Sequence, residues 1–271
     1  MPTKSAQYRE ALRPLIDAAF TTADPGPLNA YLIEHSNLPG PRGNLELAYA
    51  FADEIATLCP ARCAEVARLL DALTTRTLTD DPTSPLQMPQ FCGTVALGEW
   101  GARCDAIDEA AARLFALAES PLWRLHEGVA MGFQHALAQN WPATLAAMRR
   151  AEDTASPLQW RALVAAVADP PLLKDADHAV DALALHDRAL VAFHALPNDV
   201  RRREDVRTLR QALGYSVSVI VAATPDAGFE HMHAWAAWGD PDVNWLLREN
   251  LKKKRLSAWQ NQVERLKASV L

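Results

Sequence analysis

Residues 239–256 read GDPDVNWLLRENLKKKRL. An Asp followed by a Pro and a Trp-led amphipathic run is how a helix begins. Asp240 can satisfy free N–H groups as an N-cap, and Pro241 at the first helical position gives up no hydrogen bond. The same pattern recurs along the chain. SPLWRLHEGVAMGF, from Ser120, has the cap, the Pro, the Trp and the Leu, and its Trp123 and Glu127 stand where Trp245 and Glu249 stand. SPLQWRALVAAVADP, from Ser156, is another Ser-Pro entry with Trp160, and REDVRTLRQALGYSV, from Arg203, keeps the Asp-Val-Arg start and the apolar rhythm. Looser copies begin at Gly40, GPRGNLELAYAFADEIA, and at Ser84, SPLQMPQFCGTVALGEW.

The six copies are spaced by roughly 33 to 48 residues, the scatter expected of two-helix repeats. A second helical segment lies between successive copies: PARCAEVARLLDAL, DEAAARLFALAE, WPATLAAMRRAED, ADHAVDALALHDRALVAFHAL and GFEHMHAWAAW. In AEVARLLDAL, Val66, Leu69, Leu70 and Leu73 recur at three and four, placing one apolar stripe on one helix face. YSVSVIV, residues 215–221, alternates like a strand, but it follows a helical run without a turn signal and reads as buried helix. One helix pair cannot bury both of its apolar stripes, so each pair must stack on the next. The expected fold is all-α: a right-handed α-solenoid of about six helix pairs over 39–256. Capping helices are expected in 1–38 and 257–271, Ser257 serving as N-cap of the last with Trp259, Val263, Leu266 and Val270 on its buried face. The whole chain, 1–271, reads as one domain.

Composition narrows the function. With 271 residues, 49% hydrophobic and 22% charged, the chain can bury a substantial core. Its net charge of −6 argues against a surface built throughout for nucleic acid. Residues 201–271 nevertheless carry 12 Lys/Arg against 8 Asp/Glu, whereas residues 1–200 carry 15 against 25. A polyanion would prefer the C-terminal end. The first twenty residues read as an amphipathic helix rather than a signal peptide, and no run reaches the roughly 18 apolar residues of a membrane span, so a cytoplasmic protein is expected.

Cys59, Cys63, Cys92 and Cys104 read as buried small apolar residues, because CPARC lacks the further ligands of a zinc site, with a metal site or a disulfide as the alternative. His231 and His233 form H-x-H, whose rings leave a helix on different faces. No phosphate-binding Gly loop, nucleophile elbow or H-E-x-x-H occurs. No metal, cofactor or membrane partner is expected, and the chain reads more as a binding module than as an enzyme.

The (D/S)-P-x-V/W-R/L helix entries at this period resemble HEAT-like repeats, from about residue 39 to 256. VNWLLRENLKKKRL also resembles the Trp-Leu-Arg-Glu helix of the HEAT-like bacterial DNA alkylation-repair glycosylases. That resemblance implies a concave basic face cradling duplex DNA, with an Asp and two Trp around a damaged nucleotide. Here the acid one turn after the Trp is Glu, and the pairing occurs twice, at Trp123 with Glu127 and at Trp245 with Glu249. A residue that recurs in register is what architecture produces, whereas a catalytic residue normally appears once.

Trp123, Trp160 and Trp245 read either as an aromatic ladder for a ligand or as wedges between helix pairs. Arg124, Arg161, Arg207 and Arg248 beside them read either as contacts to carboxylate or phosphate, or as partners of nearby acids such as Glu204, Asp205 and Glu249. Lys252, Lys253, Lys254 and Arg255 fall where the last turn of a helix is expected. They suit its dipole but exceed what capping requires, so an anion is plausible there. The leading expectation is a protein or peptide bound in a concave groove. The alternative is duplex DNA, with Glu127 or Glu249 stabilising a sugar cation.

Overall fold

The computed structural model describes residues 3–75 and 77–270, and among these there is no strand. The helices are α1 (Lys4–Thr22), α2 (Gly26–Glu34), α3 (Leu45–Leu58), α4 (Cys63–Thr74), α5 (Met88–Arg103), α6 (Ile107–Ala118), α7 (Trp123–Gln139), α8 (Trp141–Ala151), α9 (Pro157–Val167), α10 (Ala176–His194), α11 (Glu204–Ala223), α12 (Pro225–Ala236), α13 (Pro241–Leu251) and α14 (Gln260–Val270). All six copies of the sequence pattern fall on α3, α5, α7, α9, α11 and α13, and all five intervening segments on α4, α6, α8, α10 and α12. YSVSVIV lies inside α11.

The chain forms two compact units, Met1–Arg150 and Ala151–Leu271. In the first, α1, α3, α5 and α7 pack side by side in succession, with α4 against α5 and α6 against both α5 and α7. In the second, α9, α11 and α13 do the same, with α10 against α9 and α11, and α14 against α12 and α13. The alternation follows from the helix stripes: each odd helix is apolar enough to be covered on several sides, whereas α4 and α6 bury one stripe each.

α5 is the extreme case, buried at every residue from Met88 to Gly101. Its approach to α7 is made backbone to backbone. A Cβ on Gly98 would lie 1.9 Å from the carbonyl oxygen of Gly132, and one on Gly132 would lie 2.7 Å from that of Thr94. Glycine in a helix interior costs about 1 kcal/mol relative to Ala, and here that cost is offset by the contact it permits.

The entry chemistry is confirmed at two helices. Ser156 and Gln159 make a capping box on α9, and Asp240 accepts from the N–H groups of Asp242 and Val243 on α13. Asp240 is also buried against Arg201, 2.7 Å away. Burial pushes its carboxyl pKa up, but the hydrogen bonds from Arg201, His194 and Val243 outweigh burial and hold it below the usual range.

Elsewhere the local expectation fails. Ser120 is not the N-cap of α7: Pro121 and the extended Leu122 delay the helix to Trp123, and the Ser120 hydroxyl accepts from the Leu122 N–H instead. Ser257 lies within a 3-10 segment, Lys254–Trp259, so α14 starts later, at Gln260. Val263, Leu266 and Val270 are buried as expected, with Trp259 half-buried near Phe229. Lys252 is the C-cap of α13, so the four cations leave the helix rather than forming its last turn.

Cys59 and Cys92 are buried thiols, but Cys63 and Cys104 form a disulfide. Cys59 ends α3 and Cys63 begins α4, so CPARC is a helix break, and packing brings the start of α4 to the end of α5. Among the described residues, no helix is long and apolar enough to cross a membrane.

Two buried polar groups tie the second unit together. Asn250 of α13 accepts from the Ser218 N–H and donates to the Leu213 carbonyl, both on α11. His186 of α10 has Nδ1 2.9 Å from the Ala182 carbonyl, which can only accept, so Nε2 is left to accept from the Ser216 hydroxyl. Burial pushes the His186 pKa down to about 4.

Two outcomes follow from these contacts. Gly98→Ala should destabilise the first unit by about 2–4 kcal/mol, because only backbone can yield to the new Cβ; urea denaturation measures it. His186 stays neutral in the folded chain while the unfolded chain takes up its proton near pH 6.5, so stability is full above that pH and falls by ~3 kcal/mol on going to pH 4. In His186→Gln this component of the stability–pH curve should be absent.

Candidate functional site

Three residues singled out in the sequence, Trp123, Arg124 and Glu127, line one cavity of about 380 Å³ in the first unit. They come from the first turns of α7. Gln87, Met88 and Phe91 approach from the start of α5, and the loop and helix start at Leu38, Pro41, Arg42, Gly43 and Leu45 complete the wall with Met131. The late start of α7 matters: because the helix begins at Trp123, its indole and the neighbouring Arg124 side chain both line the cavity. Trp123 is 47% exposed, an unusual state for the largest apolar side chain.

Arg124 is only 7% exposed and makes no ion pair among the described residues. Its guanidinium lies 4.6 Å from the centre of the Trp123 ring, one Nη reaches the Gly40 carbonyl at 3.5 Å, and Nε is buried without a partner. Burial alone lowers its pKa. Gln87, 2% exposed, donates to the Asp81 carbonyl at 2.7 Å and leaves its own buried oxygen without a partner. An uncompensated buried cation costs several kcal/mol. The chemistry that offsets it is an anion, best a planar carboxylate that takes two N–H bonds, while Met88, Phe91, Met131 and Trp123 accept an apolar body.

The other candidates have separate surroundings. Trp160 is buried in α9, and Trp245 is half-buried beneath the Arg210 guanidinium, 4.4 Å from the ring centre, and against Gly214. The three Trp therefore do not share one environment. Arg161 is half-buried; Arg207 is exposed and makes no ion pair among the described residues, and Asp205 pairs with Arg203. Arg248 donates to the Val270 carbonyl, a contact that holds α14 to α13. Glu249 pairs with Lys252 at 2.5 Å, and that hydrogen bond lowers its carboxyl pKa, so it is kept as a carboxylate. His231 lies beside Asp187, which accepts from the Trp235 indole.

Lys253 and Arg255 converge on Tyr215, 52% exposed, at 5.2 and 4.7 Å from its ring centre, and Arg255 donates to its hydroxyl. With Lys254 they line a groove of the second unit floored by Leu173, Val219 and Ala222. Among the described residues, none of these three cations pairs with a carboxylate.

Sequence reading missed Gln87, Met88, Phe91 and the loop around Gly40, which come from distant segments and carry no local signature. Comparison with protein-family models, curated proteins and solved structures returned no match.

An unpaired buried Arg that serves a ligand is stability sacrificed. Arg124→Met should leave the unfolding free energy in urea unchanged or raise it by about 1 kcal/mol. A loss of several kcal/mol would make Arg124 architectural.

Proposed function

We propose that this chain is a non-catalytic binding protein whose first-unit cavity takes a protein or peptide segment bearing a carboxylate beside an apolar side chain. One observation carries it: Arg124 is buried with no anionic partner in a cavity walled by Trp123, Met88, Phe91 and Met131. The reading includes the HEAT-like, right-handed solenoid, supported by six sequence copies on alternate helices and by odd helices side by side within each unit. It also includes a cytoplasmic location, where thiol reductants would keep Cys63 and Cys104 reduced.

A second reading is favoured by the groove at Tyr215: Lys253, Lys254 and Arg255 around an exposed aromatic ring suit a phosphate backbone and a stacked base. Duplex DNA would be the ligand, and a glycosylase of the alkylation-repair group would be the activity, with Glu249 of the same unit beside the sugar; Glu127, the other acid of that expectation, belongs to the first unit. Glu249 is already neutralised by Lys252, which weakens its part in that activity.

Selection from a random peptide library on wild type, repeated on Arg124→Met, separates the readings. The expected outcome is a set of peptides rich in Asp, Glu or a free C-terminus that loses at least tenfold in affinity with Arg124→Met. Selected peptides that bind both proteins equally would remove the cavity as the site. Duplex DNA binding that weakens steeply between two salt concentrations and is lost in Lys253→Ala/Arg255→Ala would instead support the second reading.

A further inference from the structure

Cys59, the thiol at the end of α3, stands beside the Cys63–Cys104 disulfide, and the three sulfur atoms all lie within 4.8 Å of one another. Two successive helix ends and one remote in sequence deliver them: the α3 C-terminus and the first residue of α4, four residues apart, and the residue that caps the end of α5. A core could use any small apolar residue at these places, yet three of the four cysteines of the chain meet at one point. Cys59 is 5% exposed, whereas Cys63 and Cys104 are half-buried, so a small reductant or ion reaches the cluster from their side.

We propose that the reduced protein holds a monovalent copper ion on Cys59, Cys63 and Cys104, and that formation of the Cys63–Cys104 disulfide abolishes the site. A metal–thiolate bond of about 2.3 Å places three sulfurs about 4.0 Å apart around a trigonal ion. The Cys59 sulfur lies no more than 4.8 Å from either of the other two, so small side-chain movements bring all three to that spacing once the disulfide is reduced. Three soft thiolates select monovalent copper, whereas a structural zinc site takes four ligands and, among the described residues, the cluster offers no fourth His, Cys, Asp or Glu. Burial pushes the Cys59 thiol up to about 11, and the Arg103 guanidinium only partly opposes burial and the Glu99 carboxylate. A metal bound to the sulfur supplies the larger positive field.

The chemistry balances in two steps. A dithiol reductant transfers two electrons and two protons to the Cys63–Cys104 bond, giving two thiols, and is itself oxidised to a disulfide. The monovalent ion then replaces three S–H protons, which pass to buffer. Three copper–sulfur bonds form and the oxidation state of copper does not change.

The test uses the full chain, reduced with a dithiol, desalted without oxygen, and offered monovalent copper as its bicinchoninate complex. Reduced wild type should withdraw one equivalent from the chelator, and the oxidised protein none. Cys59→Ala should bind at least tenfold more weakly, and so should Cys104→Ser, a second variant in case the first does not fold. Cys92→Ala, altering a buried thiol outside the cluster, should bind as wild type does. Equal retention by reduced and oxidised protein, full retention by Cys59→Ala or Cys104→Ser, or loss of binding in Cys92→Ala would overturn the proposal.

Discussion

The first unit depends on the passage of α5 against α7 at Gly98 and Gly132. With no side chain on either residue, the two backbones come within the distance of a single missing methyl group, and α5 is buried all round. A helix so placed can be covered only by neighbours on every side, and α3, α4, α6 and α7 are those neighbours. Gly101 repeats the device against Ala110 of α6, and Gly93 against Leu73 of α4. The helix forfeits propensity at three positions, and recovers it as dispersion and burial that no isolated helix could obtain.

The cavity grows from the same contact. About a turn and more toward the N-terminal ends, Gly128 meets the ring of Phe91 rather than backbone, and beyond it Met88, Gln87, Trp123 and Arg124 face one space. Small residues hold the middles of the two helices together and large ones occupy their beginnings, so the opening lies at one end of the pair. The buried guanidinium of Arg124 is set there by the late start of α7, a consequence of Pro121 and Leu122. The second unit is organised differently, by buried polar contacts: Asp240 with Arg201, His186 with Ser216, and Asn250 with the α11 backbone. Such groups cost more than apolar packing unless fully partnered, and in return they accept only one register between helices.

Periodicity and punctuation made the order of helices legible. The copies at Gly40, Ser84, Ser120, Ser156, Arg203 and Gly239 each anticipate an odd helix, because an apolar stripe at three and four and a capping residue are local properties of the chain. Trp123, Arg124 and Glu127 were legible as candidates through their place in that repeat, but so were Trp160 and Arg248, which turn out buried in one case and tied to the end of α14 in the other. Equivalent repeat positions differ in exposure because exposure depends on the neighbouring helices, which the repeat does not encode. The basic run after α13 shows the same limit: its composition signalled an anion, but only packing revealed that Lys252 is engaged by Glu249 while Lys253 and Arg255 flank Tyr215.

By itself, then, the sequence determined that this chain is a succession of amphipathic helices and roughly where each begins. Tertiary structure alone decided that Cys63 meets Cys104 with Cys59 beside them, that Gly98 faces Gly132, and that Arg124 is enclosed without an anion. The division has a physical cause. Helix formation is written in contacts three and four residues apart, whereas burial, ligand geometry and the field around a charge are set by atoms from segments tens of residues away.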